Sequence, residues 1–321
     1  ETSLDAFHDV AGQSDEYIPE LARSVGIDIA VDRQGYTTYS RTRLFRHRIA
    51  PVQVEFLGFP STTGTEFIDY LVADTVVVPE RLRAHYSERL IRLPHSYMPT
   101  DNQLPIASQP TTRADHGLPD AGFVFCCFNA TYKIRPREFA IWMRLLERVE
   151  GSVLWLFRSN PRAERNLREQ ASRHGVDPAR LVFAKRVPSE QHLERHAHAD
   201  LFLDTFCMNA HTTTIDALWA GLPVLTKAGE QFAARVAASV IEAVGLPELV
   251  THSAAEYEAL ALDLAQDRGR LAQIRARLAA NRETHPLFDT QLYTRHLEAG
   301  FDAAYERFLA GLEPADISVA G

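Results

Sequence analysis

The segment Asp204-Thr-Phe-Cys-Met-Asn-Ala-His211-Thr-Thr-Thr-Ile-Asp216-Ala-Leu-Trp-Ala-Gly-Leu-Pro-Val-Leu-Thr226 gathers polar side chains between two apolar stretches. A strand pattern ends near Asp204, a short loop follows, and a helical pattern begins at His211 or Thr212. The free N–H groups and dipole of a helix N-terminus suit an anion such as a diphosphate. Thr212 and Thr213 add hydroxyls there, and His211 adds an imidazole. One helical turn later, Asp216 falls on about the same face, where a carboxylate could accept both hydroxyls of a ribose diol. The same residues also fit a plain helix start, with a threonine cap and an acid in the first turn. Physics alone leaves these two readings even.

Two further segments carry chemistry-bearing side chains. In Asn129-Ala-Thr-Tyr-Lys133-Ile-Arg-Pro136, again between a strand pattern and a helix pattern, Lys133 could neutralise the charge that grows on a phosphate as a sugar–phosphate bond breaks. A lone loop lysine is more often simply solvated. In Val187-Pro188-Ser-Glu-Gln-His192-Leu-Glu-Arg195-His196-Ala-His198, His192 and His196 have the four-residue spacing of helical metal ligands. The Glu that a zincin carries directly after its first His is missing, so no metal is assigned. A histidine lying flat on a base, or at the surface, fits better. No G-x-S-x-G, P-loop or G-x-G-x-x-G occurs. The stretch Leu57-Gly58-Phe-Pro60-Ser-Thr-Thr-Gly64 follows a strand pattern and reads equally as a ligand-facing loop or a turn.

The elements that must position these residues alternate between short apolar runs and amphipathic stretches, the pattern of βαβ units in a parallel sheet. Strands are expected at 123–128, 153–157, 181–183, 200–204 and 223–226, with helices at 136–149, 161–174, 189–198 and 212–220. Pro136 and Pro161 suit a first helical turn; Gly175 and Gly221 suit the position just past a helix end. A smaller strand set lies at 27–31, 52–57, 70–72 and 90–93. Residues 101–120, rich in Pro, Gln, Ser, Thr and Asp, read as a linker. The domain division is therefore set at 1–105 and 106–321. After about Val250 the pattern is nearly all helical, ending in 290–309 and a frayed tail. The reading is an α/β chain of two Rossmann-like halves, with ligand expected at the carboxyl ends of the strands.

The bulk numbers exclude several classes. The 321 residues are 45% hydrophobic and 24% charged, with a net charge of −8. That balance gives no reason to expect nucleic acid or an anionic membrane as partner, and no apolar run approaches the roughly 20 residues of a membrane span. Three cysteines without a spaced framework, two of them adjacent, point to reduced thiols and a cytoplasmic setting.

Taken together, the segments resemble the catalytic region of the O-GlcNAc transferases, glycosyltransferase family 41, over about residues 26–309. The resemblance rests on Gly35-Tyr-Thr37, Ala50-Pro-Val-Gln53, Leu57-Gly-Phe-Pro60, Phe128-Asn-Ala-Thr-Tyr-Lys-Ile134, Gly151-Ser-Val-Leu-Trp-Leu156, Asn209-Ala-His-Thr-Thr213, Asp216-Ala-Leu-Trp-Ala-Gly-Leu-Pro223, Ala234-Arg-Val-Ala-Ala-Ser239 and Pro286-Leu-Phe-Asp289. It implies the GT-B fold, two Rossmann-like domains with parallel sheets facing a cleft. It further implies an inverting, metal-independent transferase that moves a sugar, GlcNAc, from UDP-GlcNAc to Ser or Thr of a polypeptide acceptor. No cofactor is implied. By position, Lys133 is similar to the family's essential lysine on the diphosphate. His211, Thr212 and Thr213 match its phosphate turn, and Asp216 its ribose carboxylate. His192 matches its uracil-stacking histidine, with Arg195 beside the base. Asn129, Val187 and Pro188 complete the donor side; Leu57, Gly58 and Pro60 fall on the acceptor side. Ser189 and Ala130 depart from residues common in the family. The family's leading strand and Ser-Asp-Phe…His-Pro segment would precede residue 1, so the chain reads as N-terminally truncated. Transfer of a hexose to Asn, or a UDP-binding module without activity, remain as alternatives.

Overall fold

The computed structural model describes residues 4–321 and divides into two compact units, one reaching to Tyr97 and including Thr294–Gly321, the other Met98–Tyr293. The first opens with α1 (Tyr17–Val25), β1 (Ile29–Asp32), β2 (Val52–Glu55), β3 (Tyr70–Asp74) and β4 (Arg89–Leu93). The second runs β5 (Val124–Cys127), α2 (Pro136–Arg148), β6 (Val153–Phe157), α3 (Pro161–Arg173), β7 (Leu181–Ala184), α4 (Ser189–Glu194), β8 (Leu201–Leu203), α5 (Thr212–Trp219), β9 (Val224–Lys227), α6 (Val236–Ala243), β10 (Val250–Thr251), α7 (Ala254–Gln266) and α8 (Arg268–Thr284). The chain ends in α9 (Thr290–Leu309) and β11 (Ile317–Ser318).

Every strand pair in both sheets is parallel, in the orders β1-β2-β3-β4-β11 and β10-β9-β8-β5-β6-β7. Parallel strands are covered on both faces, which is why they read as continuous apolar runs; β5 and β8 are buried throughout. Local chemistry places the helices. Pro136 and Pro161 open α2 and α3, where the missing N–H costs nothing. The Asn160 side chain accepts the Ala163 N–H at 2.9 Å, and Ser253 and Asp267 cap α7 and α8 in the same way. Gly175 and Gly221 sit at φ 76° and 83° just past α3 and α5, as their sequence positions predict.

Three expectations change. The division falls between Tyr97 and Met98 rather than at 105/106. Residues 101–120 are not a free linker, because Trp219 Nε1 donates to Leu104 O (3.0 Å), Ala107 N to Glu190 O (3.1 Å) and Thr111 N to Glu194 Oε1 (2.8 Å). The C-terminal residues from Thr294 return to the first unit, and the tail is not frayed. There β11 adds to β4, held by Asp316, which accepts from Arg83 Nε (2.6 Å), Arg83 Nη2 (2.7 Å), Leu90 N (3.0 Å) and Arg92 Nη1 (3.2 Å). Burial opposes the Asp316 charge, yet these donors keep its pKa below the ordinary carboxylate value.

Candidate functional site

In the second sheet the chain moves outward from β5 to β6 and β7, then returns to lay β8 against the other side of β5. That reversal is a topological switch point, where open α/β sheets bind ligands beyond the carboxyl ends of their strands. The segment after β5 carries Asn129 and Lys133; the segment after β8 carries His211, Thr212, Thr213 and Asp216. The two segments separated in sequence are thus adjacent in space.

A carboxylate that the sequence reading passed over joins them. Asp204, directly after β8, is fully buried and accepts from Thr205 N (2.8 Å), Ala210 N (2.6 Å), Asn129 Nδ2 (3.1 Å) and Thr226 Oγ1 (2.7 Å). Burial raises its pKa to about 6, against the pull of these bonds. Asn129 also donates to Thr205 Oγ1 (2.8 Å) and accepts from Thr213 Oγ1 (3.2 Å), so β5, β8 and α5 are tied at one point. The signal available in sequence was an acid closing an apolar run, which is also a common strand end.

Lys133 Nζ donates to Asn209 O at 2.9 Å, and burial lowers its pKa while Asp204 raises it. It is therefore not the solvated loop lysine that its sequence context allowed. Helix α5 begins at Thr212 after His211, and no side chain caps it. Thr213 bonds Asn129 instead, and Thr214 Oγ1 donates to Ala210 O at 2.9 Å. The first-turn N–H groups thus lack the threonine cap that the plain helix-start reading requires. His211 is pushed down to about 4, first by burial and then by Lys133, so its ring is neutral at pH 7. Its Nε2 lies 3.2 Å from Ala233 O; a carbonyl only accepts, so Nε2 carries the proton.

Asp216 is the fifth residue of α5, one turn along, and not the first-turn acid of the plain helix-start reading. It is half-buried, burial raises its pKa to about 6, and among the described residues its carboxylate has no hydrogen-bond or ion-pair partner. No helix-dipole or capping role accounts for it there.

Val187 and Pro188 connect β7 to α4, which carries His192. Arg195 is 2% exposed, donates through Nη1 to Lys185 O (2.7 Å) and through Nη2 to His192 Nδ1, and lies 4.7 Å over the Phe128 ring. A guanidinium only donates, so the His192 proton sits on Nε2. Burial, with His196 and Arg195, lowers the His192 pKa to about 3. Arg195 thus holds the His192 ring in one tautomer and is largely enclosed itself.

In the first unit, Leu57, Gly58 and Pro60 lie in the loop at the carboxyl end of β2. Leu57 holds φ 80°, and a Cβ at Gly58 would come within 1.9 Å of Arg33 O, so only glycine fits. Directly before this loop Glu55 is fully buried, and among the described residues neither of its carboxylate oxygens has a hydrogen-bond partner.

Comparison with known proteins bears on the family and the fold. The sequence profile of "Glycosyl transferase family 41" matches residues 11–106 and 98–297. An Arabidopsis thaliana protein named "Probable UDP-N-acetylglucosamine--peptide N-acetylglucosaminyltransferase SEC" is 37% identical over 326 residues, 99% of this chain and 33% of its own length. The Caenorhabditis elegans UDP-N-acetylglucosamine--peptide N-acetylglucosaminyltransferase is 29% identical over 398 residues, covering 89% of this chain and 35% of its own. The Thermobaculum terrenum O-GlcNAc transferase, solved as a lysine-to-methionine mutant, superposes with TM-score 0.84 at 32% identity, over 95% of this chain and 57% of that one. The chain spans about a third of the length of the two curated relatives. Among the described residues no helix is long and apolar enough to cross a membrane.

Proposed function

The chain belongs to glycosyl transferase family 41 and has an α/β fold of the GT-B class, and from that premise we propose that its second unit binds a UDP-sugar and that the protein transfers the sugar, N-acetylglucosamine, to serine or threonine of a polypeptide. The observation that carries the reading is the convergence at the β5–β8 switch point. A half-buried lysine follows β5, an uncapped helix start follows β8, and one turn along that helix stands a carboxylate with no partner among the described residues; a nucleoside diphosphate needs a cation, N–H donors and a diol acceptor of this kind.

In this reading Lys133 and the N–H groups of Thr212 and Thr213 hold the diphosphate, Asp216 accepts the ribose hydroxyls, and His192 lies against the base with Arg195 fixing its ring. Asn129 positions Thr213. The acceptor hydroxyl attacks the anomeric carbon as the bond to UDP breaks, with inversion; its proton passes to the departing diphosphate, and the charge rising on that leaving phosphate is met by Lys133 and the helix start. No metal is needed at the diphosphate, because those groups supply the positive potential. The loop of Leu57, Gly58 and Pro60 belongs to the acceptor side. Soluble UDP, a UDP-sugar and a polypeptide are the partners; the setting is cytoplasmic.

The test pairs calorimetric UDP binding with transfer of radiolabelled GlcNAc from UDP-GlcNAc to a Ser/Thr peptide pool. Binding unchanged by EDTA, together with base-labile peptide labelling, is the expected result. Loss of UDP affinity in EDTA and its return with manganese would overturn the metal-free site. UDP binding without any transfer would reduce the chain to a nucleotide-binding module.

A further inference from the structure

We propose that His116, Glu194 and His198 bind a divalent transition-metal ion of the zinc class, at a site separate from the diphosphate groups. The His192–His196 pair with ligand-like spacing gathers no third ligand among the described residues. His192 Nδ1 is taken by Arg195, and His196 Nδ1 by the carbonyl of His192 (2.7 Å). The set that does converge begins two residues later. Glu194 ends α4, His198 ends the 3-10 turn that continues it, and His116 ends a 3-10 turn that precedes β5.

One ligand atom from each of the three lies within 4.8 Å of the others, and His198 Nε2 is 3.7 Å from Glu194 Oε1. All three surround one point, which the Thr111 hydroxyl now marks. Its oxygen is 2.9 Å from His116 Nε2, 2.8 Å from His198 Nε2 and 2.8 Å from Glu194 Oε2. Two imidazoles and a carboxylate are a donor set that zinc accepts, at bond lengths of roughly 2.0–2.2 Å. An ion at this point displaces the Thr111 hydroxyl by rotation about χ1 and draws each of the three groups inward by roughly 1 Å. The displaced Thr111 Oγ1 or a water then completes the fourth position.

Trp155 packs against the His116 ring at 5.1 Å and fixes its plane. An ion here would clamp residues 107–116 to the end of α4, adding to the Thr111 N–H bond that Glu194 already accepts.

The experiment is a titration of the EDTA-stripped full chain with Co2+, followed by visible spectroscopy, with Zn2+ as competitor. One equivalent should bind with nitrogen/oxygen d–d bands and no thiolate charge transfer, and Zn2+ should displace it. Cys207→Ser should leave the titration unchanged, since Cys207 is the exposed thiol. His116→Gln and Glu194→Gln should each weaken binding by at least about 10–100-fold, the loss that even an outer-shell partner brings. His198→Cys keeps a ligand in place and should add a thiolate-to-cobalt band that the parent lacks. No stoichiometric binding by the parent chain, undiminished binding by His116→Gln, or a folded His198→Cys that binds without the new band would each overturn the site and leave Thr111 as the hub of a hydrogen-bond knot. UDP affinity is read separately, so failure here leaves the nucleotide reading intact.

Discussion

Both sheets end an interior strand in a carboxylate with no exposure to solvent: Glu55 closes β2 in the first unit, and Asp204 follows β8 in the second. Their surroundings are opposite. Asp204 accepts four hydrogen bonds and is held to a pKa of about 6. Glu55 has no hydrogen bond of normal geometry, and burial, then the charges of Asp32 and Glu88, raise it to about 8 against a weaker pull from the Phe59 N–H. Asp32 and Glu88 are themselves engaged, Asp32 by Gly35 N and Thr42 Oγ1 and Glu88 by Thr62 and Thr63. The lesson is that burial alone does not make a carboxylate useful. A satisfied one organises the loops that carry Lys133 and His211, whereas an unsatisfied one is neutral at pH 7 and costs stability when it ionises.

The comparison breaks most visibly at Asp204. Asp204→Ala leaves four donors without their acceptor and should destabilise the chain by on the order of 4 kcal/mol, with UDP binding lost in the folded fraction. Denaturant melts with and without UDP measure both, and a change under about 1 kcal/mol would mean that the web re-forms without it.

Lys133 tests whether that web serves chemistry. In a chain that transfers sugar, Lys133→Met should lower kcat by about 10²–10³-fold and weaken UDP-sugar binding far less, because the cation meets charge that develops as the bond breaks. Equal turnover by the Met variant, measured with the radiolabelled donor, would make Lys133 a bystander.

For Glu55 the sign is reversed. Its folded pKa lies above the unfolded 4.5, so the stability that its neutral form permits is lost as pH rises from about 4.5 through about 8. Glu55→Met removes the ionisation and should add about 2 kcal/mol above pH 8 but little at pH 5. Thermal melts across that range check it; a gain independent of pH would mean packing, not charge, is the cause.

Asp216 gives the smallest expected effect and joins both themes. Its pKa, raised by burial from 3.8 to about 6, means the UDP-free fold loses stability as pH climbs through that window. Asp216→Asn should stabilise the free chain at pH 7 by on the order of 1 kcal/mol while weakening UDP. Wild-type UDP affinity should fall as pH drops through about 6. Calorimetry at pH 5, 6 and 7 would show a flat profile if the carboxylate does not touch the nucleoside.

The local elements were readable from residues alone because their causes are local. Apolar runs, Pro136 and Pro161 at helix starts, and Gly175 and Gly221 at helix ends set strand and helix bounds to within a few residues. The site segments were visible for the same reason, since a strand end followed by a helix start is a local pattern. The readings that changed depend on partners far along the chain. The tail became β11 through Arg83 and Asp316, 233 residues apart, and residues 101–120 joined the second unit through Trp219, Glu190 and Glu194. Whether an acid such as Asp204, Glu55 or Asp216 is satisfied, orphaned or left open to a ligand was decided only by tertiary structure. Side-chain period and turn chemistry are written within a few residues, but a buried polar group is satisfied only by whatever the fold brings beside it.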